Sequence, residues 1–164
     1  MIALLIYEPK HITREQAEQQ VEHLLGGQLA HVFSSCDASL AKVPYVRELA
    51  DDWMVSQDPM RKKCRFGLLY ELSKSKTKSA PDDDYFSEWI AYVDQNCEGA
   101  DVDTLLAMAN ALMGVGKRSA RPNVEALAVA RAIGPVDWDT TGNCEPFDVV
   151  KHLVNDWLRK KLGG

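Results

Sequence analysis

The stretch 102–118, VDTLLAMANALMGVGKR, constrains the fold more than any other part of this chain. From Leu105 to Gly116 only Asn110 is polar. A helix that is apolar on nearly every face belongs inside a protein, packed on several sides. Val102, Leu105, Leu106, Ala109, Leu112 and Met113 recur at the i, i+3, i+4, i+7 spacing of a helix. Ala107, Ala111, Gly114 and Gly116 are small enough for other helices to come close. Asp101 or Asp103 can accept from the first free N–H groups, and Lys117 and Arg118 suit the negative end of the helix dipole. About a dozen apolar residues fall short of the roughly 20 that a bilayer demands. The stretch therefore reads as the central helix of a soluble all-α domain. Asn110 is then hydrogen-bonded or lines a cleft.

The rest of the chain supplies helices to surround it. Thr13-Arg14-Glu15-Gln16 has the capping-box form T-x-x-Q and opens a helix to Leu25, ended by Gly26-Gly27. Residues 28–42 read as one helix or two short ones broken near Ser34-Ser35, with Asp37 where an N-cap would sit. Pro44 starts a helix over 45–55, and 59–73 forms the next, opening on Arg61, Lys62, Lys63 and Arg65. Lys-rich 74–80 is a loop. Pro81 and three aspartates begin a helix that buries Phe86, Trp89, Ile90 and Val93. After the central helix, Val124, Leu127 and Ala128 mark the apolar face of a helix over 123–133. A last helix over 146–161 carries the stripe Val149, Val150, Leu153, Val154 and Trp157. No segment demands a sheet, although the composition of 1–7 also suits a strand.

The helices fall into antiparallel pairs, 44–55 with 59–73, 82–96 with 102–118, and 121–133 with 146–161. A recurrence of about 40 residues is the loose signature of a HEAT-like α-solenoid. A plain bundle also fits the pattern. With 164 residues the chain suits a single domain spanning 1–164.

A net charge of −5 argues against a generally basic nucleic-acid binder and leaves room for local patches. Cys36, Cys64, Cys97 and Cys144 are widely spaced, as in reduced proteins of the cytoplasm with buried thiols. No basic n-region or cleavage site precedes MIALLIYEPK, so a signal peptide is not expected, and the cytoplasm is the default location. No membrane association is expected either.

Candidate chemistry is sparse. The four histidines have no ligand spacing, so no metal is expected. Asp137-Trp138-Asp139-Thr140-Thr141-Gly142 with Asp148 meets several positions of an EF-hand loop, but Pro146 and the absence of an entering helix favour a local turn. Gly114-Val115-Gly116-Lys117 lacks the strand a phosphate loop requires. Three basic clusters stand out: Arg61 to Arg65, Lys74 to Lys78, and Lys117, Arg118 and Arg121. Stacked repeats would align them into a cationic track; otherwise they are solvated helix ends.

Several segments together resemble the DNA alkylation repair family, the HEAT-like-repeat alkylpurine DNA glycosylases. They are HVFSSCDASL at 31–40, D-W-x-x-S-x-x-x-x-R-K-K at 52–63, MANALMGVGKRS at 108–119, ALAVARAIGPVDWD at 126–139 and CEPFDVVKHL at 144–153. The resemblance runs from about Gln28 to the end, and the N-terminal helices of full-length members are expected to be missing. It implies an α-solenoid whose concave cationic face holds duplex DNA. It also implies hydrolysis of the N-glycosidic bond of 3- or 7-alkylated purines, without metal or organic cofactor. An alkylated purine is cationic and already a good leaving group. A carboxylate that stabilises the oxocarbenium-like sugar and places a water then suffices.

In that resemblance the catalytic Asp falls on Asp37. The lesion-contacting aromatic falls on Phe33, where the family has Trp, and the backbone-binding Arg falls near Lys63, flanked by Arg61 and Arg65. Lys117 and Arg118 would extend the DNA face. A second Trp of the family falls near Ala111, so that contact is not expected. Lys does not reproduce the phosphate fork of Arg. Two readings therefore stand side by side: a glycosylase turning on Asp37, and a non-catalytic scaffold that binds DNA or a protein partner.

Overall fold

A computed structural model of the chain describes residues 8–25, 27–36, 38–139 and 141–163. The possible strand at 1–7, and Asp37, lie outside them. The chain divides into two compact units, Met1–Leu72 and Ser73–Gly164. Among the described residues there is no strand, only an isolated antiparallel bridge between Val136 and Phe147. No described helix is long and apolar enough to cross a membrane.

In the first unit a 3-10 turn at Pro9–His11 precedes α1 (Arg14–Glu22), which is nucleated by the expected capping box: Thr13 Oγ1 accepts from Gln16 N at 3.2 Å, and Gln16 Oε1 accepts from Thr13 N at 2.9 Å. Then come α2 (Gly27–Ser34), a 3-10 turn at Ser39–Lys42, α3 (Val46–Met54) and α4 (Pro59–Lys74). The break after Ser34 is real, and Cys36 there has a left-handed φ of 56°. Trp53, Phe33, Phe66, Leu49, Leu68 and Leu69 form the core. Gly67 is the close point between α4 and α2. A Cβ built on it would stand 2.0 Å from Ser34 Oγ.

The second unit holds α5 (Asp83–Asn96), α6 (Val102–Gly116), α7 (Ala120–Ile133), α8 (Val149–Leu153) and α9 (Asp156–Leu162). Asp82 and Asp101 cap α5 and α6 by accepting from Tyr85 N and Thr104 N, each at 3.0 Å. The apolar stretch is buried from Met108 through Gly116, except half-buried Asn110, but its first turns are not: Val102 is exposed and Leu105 half-buried. Asn110 donates to Leu106 O at 2.9 Å, the hydrogen-bonded alternative. Helix α7 packs against α5, α6 and α8.

Two apolar faces differ from the pattern read in the sequence. In α7 the buried residues are Pro122, Ala126, Val129 and Ala130, whereas Val124 is 68% exposed. Small residues set the phase because α6, α7 and α8 meet tightly: a Cβ on Gly116 would lie 2.7 Å from a Leu153 methyl and 3.2 Å from Ala126 Cβ. The single helix expected at 146–161 is two. Asn155 caps α9 by accepting from Leu158 N at 2.9 Å, and the chain rotates so that Leu158 is buried and Trp157 faces outward, 68% exposed.

Candidate functional site

The basic opening of α4 has two kinds of residue. Arg61 donates from Nε to Glu18 Oε2 and from Nη2 to Glu22 Oε1, both at 2.8 Å. Glu18 also accepts from the Trp53 indole at 3.0 Å, so Arg61 ties α4 to α1 and α3. Arg65 is 1% exposed, with its guanidinium 4.7 Å from the Phe66 ring centre and donating to the carbonyls of Trp53 and Met54. It closes the C-terminal end of α3, where a cation meets the negative end of the dipole. Lys62 and Lys63 are half-buried; Lys62 reaches Gln57 Oε1 at 3.4 Å.

Phe33 is 1% exposed and belongs to the first unit's core. One turn away lies a small polar cluster. Ser35 Oγ lies 2.9 Å from His31 Nδ1, Cys36 Sγ lies 3.2 Å from His31 Nε2, and Ser35 Oγ also donates to His31 O at 2.6 Å. Desolvation holds the His31 imidazole below its ordinary range, with Glu71 opposing. This cluster precedes Asp37 directly in the chain.

In the second unit, Arg118 organises the loop that follows Leu72. Its guanidinium donates to Pro81 O at 2.7 Å, Ser75 O at 3.0 Å and Ser73 O at 3.2 Å. It also meets Asp83 Oδ1 at 3.3 Å and stands 4.8 Å from the Phe86 ring centre. Asp83 takes a further bond from Ser119 Oγ at 2.7 Å. Arg121 pairs with Asp84 at 2.6 Å. The loop so held forms one wall of a cleft of about 730 Å³, whose other walls come from the end of α6 and from α9. Lys74, Lys76, Lys117 and Lys161 line it together with Trp157. Burial, then the charge of Lys161, hold the Lys117 ammonium below the ordinary lysine range. Desolvation and then Lys117 pull His152 down in the same way.

Sequence reasoning placed Lys117 and Arg118 in this basic region but assigned Trp157 to a buried stripe, and so missed the cleft. The available signal was Asn155, whose side chain competes for helix N–H groups and resets the register.

The 137–148 loop is a turn. Asp139 accepts from the amides of Thr141, Asn143 and Cys144 at 2.7–2.8 Å and from the Thr141 hydroxyl at 2.5 Å. These bonds, the Thr141 hydroxyl foremost, lower its pKa to about 2. No group of three or more metal-ligating side chains is found among the described residues. All four cysteines are free; Cys64 is buried, and burial pushes its thiol well up, while Cys36 and Cys144 are exposed.

Comparison with protein-family models and with curated proteins finds no match. Among solved structures the chain is similar to one described as "a new family of proteins related to the HEAT-like repeat DNA glycosylases with affinity for branched DNA structures". The TM-score is 0.75 at 18% identity, covering 98% of this chain and 68% of that one. The fold is HEAT-like. The all-α, HEAT-like architecture read from the sequence is therefore that of this chain, although the third expected pair lacks its single helix over 146–161.

Proposed function

We propose that this HEAT-like protein binds DNA, with preference for branched or otherwise non-duplex structure. The observation that supports it is the likeness across 98% of the chain to a protein of a family with affinity for branched DNA. Two local features favour binding over base excision. Phe33, where the resemblance calls for a lesion-contacting aromatic, is enclosed in the core. Arg61 and Arg65 bond to protein groups rather than facing a ligand; the cations proposed to meet phosphate are Lys62 and Lys63 in the first unit and, separately, those of the Lys117 region in the second.

Phosphate contacts release counterions, so affinity falls with salt in proportion to the contacts made. The test is equilibrium binding of the whole chain to fluorescent DNA over a range of salt concentrations. Lys63→Glu is expected to weaken binding and to reduce the log–log salt slope by about 1 or more. Binding that is absent at low salt, or unaffected by Lys63→Glu and by charge reversal at Lys117, overturns the reading.

Glycosylase activity is the second reading, favoured by the match of FSSCD at 33–37 to the family's Asp-bearing segment. In it Asp37 faces the sugar of a cationic lesion and stays ionised. Asn caps a helix about as well as Asp, so Asp37→Asn preserves a capping role. It removes an electrostatic one, with a rate loss of about 10²-fold or more. Release of alkylated base from methylated DNA by wild type and not by Asp37→Asn establishes catalysis. Equal release by both, or none, excludes it for Asp37.

A further inference from the structure

The cleft between the 73–81 loop, the end of α6 and α9 has a composition that simple helix ends do not explain. Five cationic side chains line it, Lys74, Lys76, Lys117, Arg118 and Lys161, against two carboxylates. Both carboxylates have work of their own: Asp82 caps α5, and Asp83 is held by Arg118 and Ser119. Arg118 is spent on the loop carbonyls. The Lys161 ammonium donates to Lys117 O at 2.8 Å, which brings the two lysines to the same side of the cleft; burial, then the charge of Lys161, hold the Lys117 ammonium below the ordinary lysine range. Several like charges lining one concave surface raise the local concentration of anions there.

The second element is aromatic. Trp157 lines the same cleft and is 68% exposed, the largest side chain among the exposed apolar residues described, along with Trp138. The capping by Asn155 turns it outward while Leu158 takes the buried position. The Lys161 ammonium lies 5.5 Å from the indole centre. Cations beside an exposed indole, one of them on the ring itself, are the pairing by which proteins hold unstacked nucleotides, with the phosphate on cations and the base on a ring. A volume of about 730 Å³ lies in the range of small-ligand clefts and accommodates one nucleotide.

We propose that this cleft binds an unpaired nucleotide of a DNA strand, its phosphate against Lys117 and Lys161 and its base against Trp157. The inference rests on the DNA-binding reading and names the part of the DNA that the second unit takes. Branch points and strand ends present such nucleotides, and blunt duplex interiors do not.

The test uses the whole chain with a fluorescent ten-nucleotide thymidine strand, a blunt duplex, and unlabelled thymidine monophosphate as competitor. Trp157→Ala and Lys161→Gln are both exposed changes, and thermal melting verifies that each variant folds. Each is expected to weaken single-strand binding about tenfold, as loss of one base stack does, and blunt-duplex binding by a markedly smaller factor; an equal loss on both overturns this inference. Should Trp157→Ala not fold, Lys161→Gln decides alone. Unchanged single-strand binding in the folded variants, with duplex binding intact, overturns this inference and leaves the DNA-binding reading standing. Absence of binding to any DNA removes both. Displacement of the strand by monophosphate at equal concentration assigns the cleft to free nucleotides and overturns the strand assignment.

Discussion

Arg61 Nε stands 2.8 Å from Glu18 Oε2, and that carboxylate also receives the Trp53 indole. A residue that in the sequence belongs to a basic run is thereby part of the bracing between α1, α3 and α4. Charge along a helix is a poor guide to its partners, because long side chains reach across neighbouring elements. Arg61→Ala is expected to cost about 1–3 kcal/mol, as for hydrogen bonds to a charged group. Denaturant unfolding checks this.

Arg65 is the stronger case. Its guanidinium satisfies carbonyls at the end of α3 from a buried position. Arg65→Ala leaves those acceptors unpaired and a gap beside Phe66, costing about 1–3 kcal/mol for the acceptors alone. The expected signature is a lowered midpoint of unfolding. A normal midpoint with weakened DNA affinity would instead make Arg65 a phosphate ligand.

Gly67 and Ser34 test the packing of α4 on α2. Gly67→Ala places a methyl 2.0 Å from Ser34 Oγ. Overpacking of that kind costs about 1–3 kcal/mol. Pairing it with Ser34→Gly removes both near side-chain atoms and is expected to restore part of the loss. A double-mutant cycle without coupling would mean that the helices are farther apart.

Much of this architecture is legible in the sequence where the signal is local. The Thr13–Gln16 box, the Asp82 and Asp101 caps and the break after Ser34 follow from side-chain chemistry within a few residues. The faces of α7 and α9 do not. Ala126 and Ala130 are buried because α6 and α8 approach closely, a tertiary fact that makes small residues fit where Val124 and Leu127 look more hydrophobic. The α8–α9 break hinges on one residue, Asn155, inside an otherwise continuous apolar stripe. The cleft depends on both, together with the loop that Arg118 fixes from more than thirty residues away.

That loop supplies the next expectation. Arg118→Ala removes the bonds to Ser73, Ser75 and Pro81. Trypsin is expected to cut at Lys74, Lys76 or Lys78 several-fold faster than in the wild type. An unchanged cleavage rate would mean that the loop is held by other contacts.

Asp139 carries a pH expectation. Its pKa is lowered from 3.8 to about 2 by the four bonds of its turn. A carboxylate with a depressed folded pKa contributes stability that is present above about pH 4 and lost as pH falls through 2. An NMR titration of its carboxyl is expected to show a midpoint near 2, and Asp139→Ala is expected to loosen 137–147 at neutral pH. A midpoint near 3.8 would deny the turn.

Recognition of DNA structure by this HEAT-like chain, as proposed, is open to direct measurement. The direct measurement is competition at moderate salt between a four-way DNA junction and a linear duplex of the same sequence and length. The junction is expected to bind about tenfold or more tightly, with affinity for both falling as salt rises. Equal affinity for the two contradicts the preference for branched DNA, and no binding to either at low salt contradicts the claim itself.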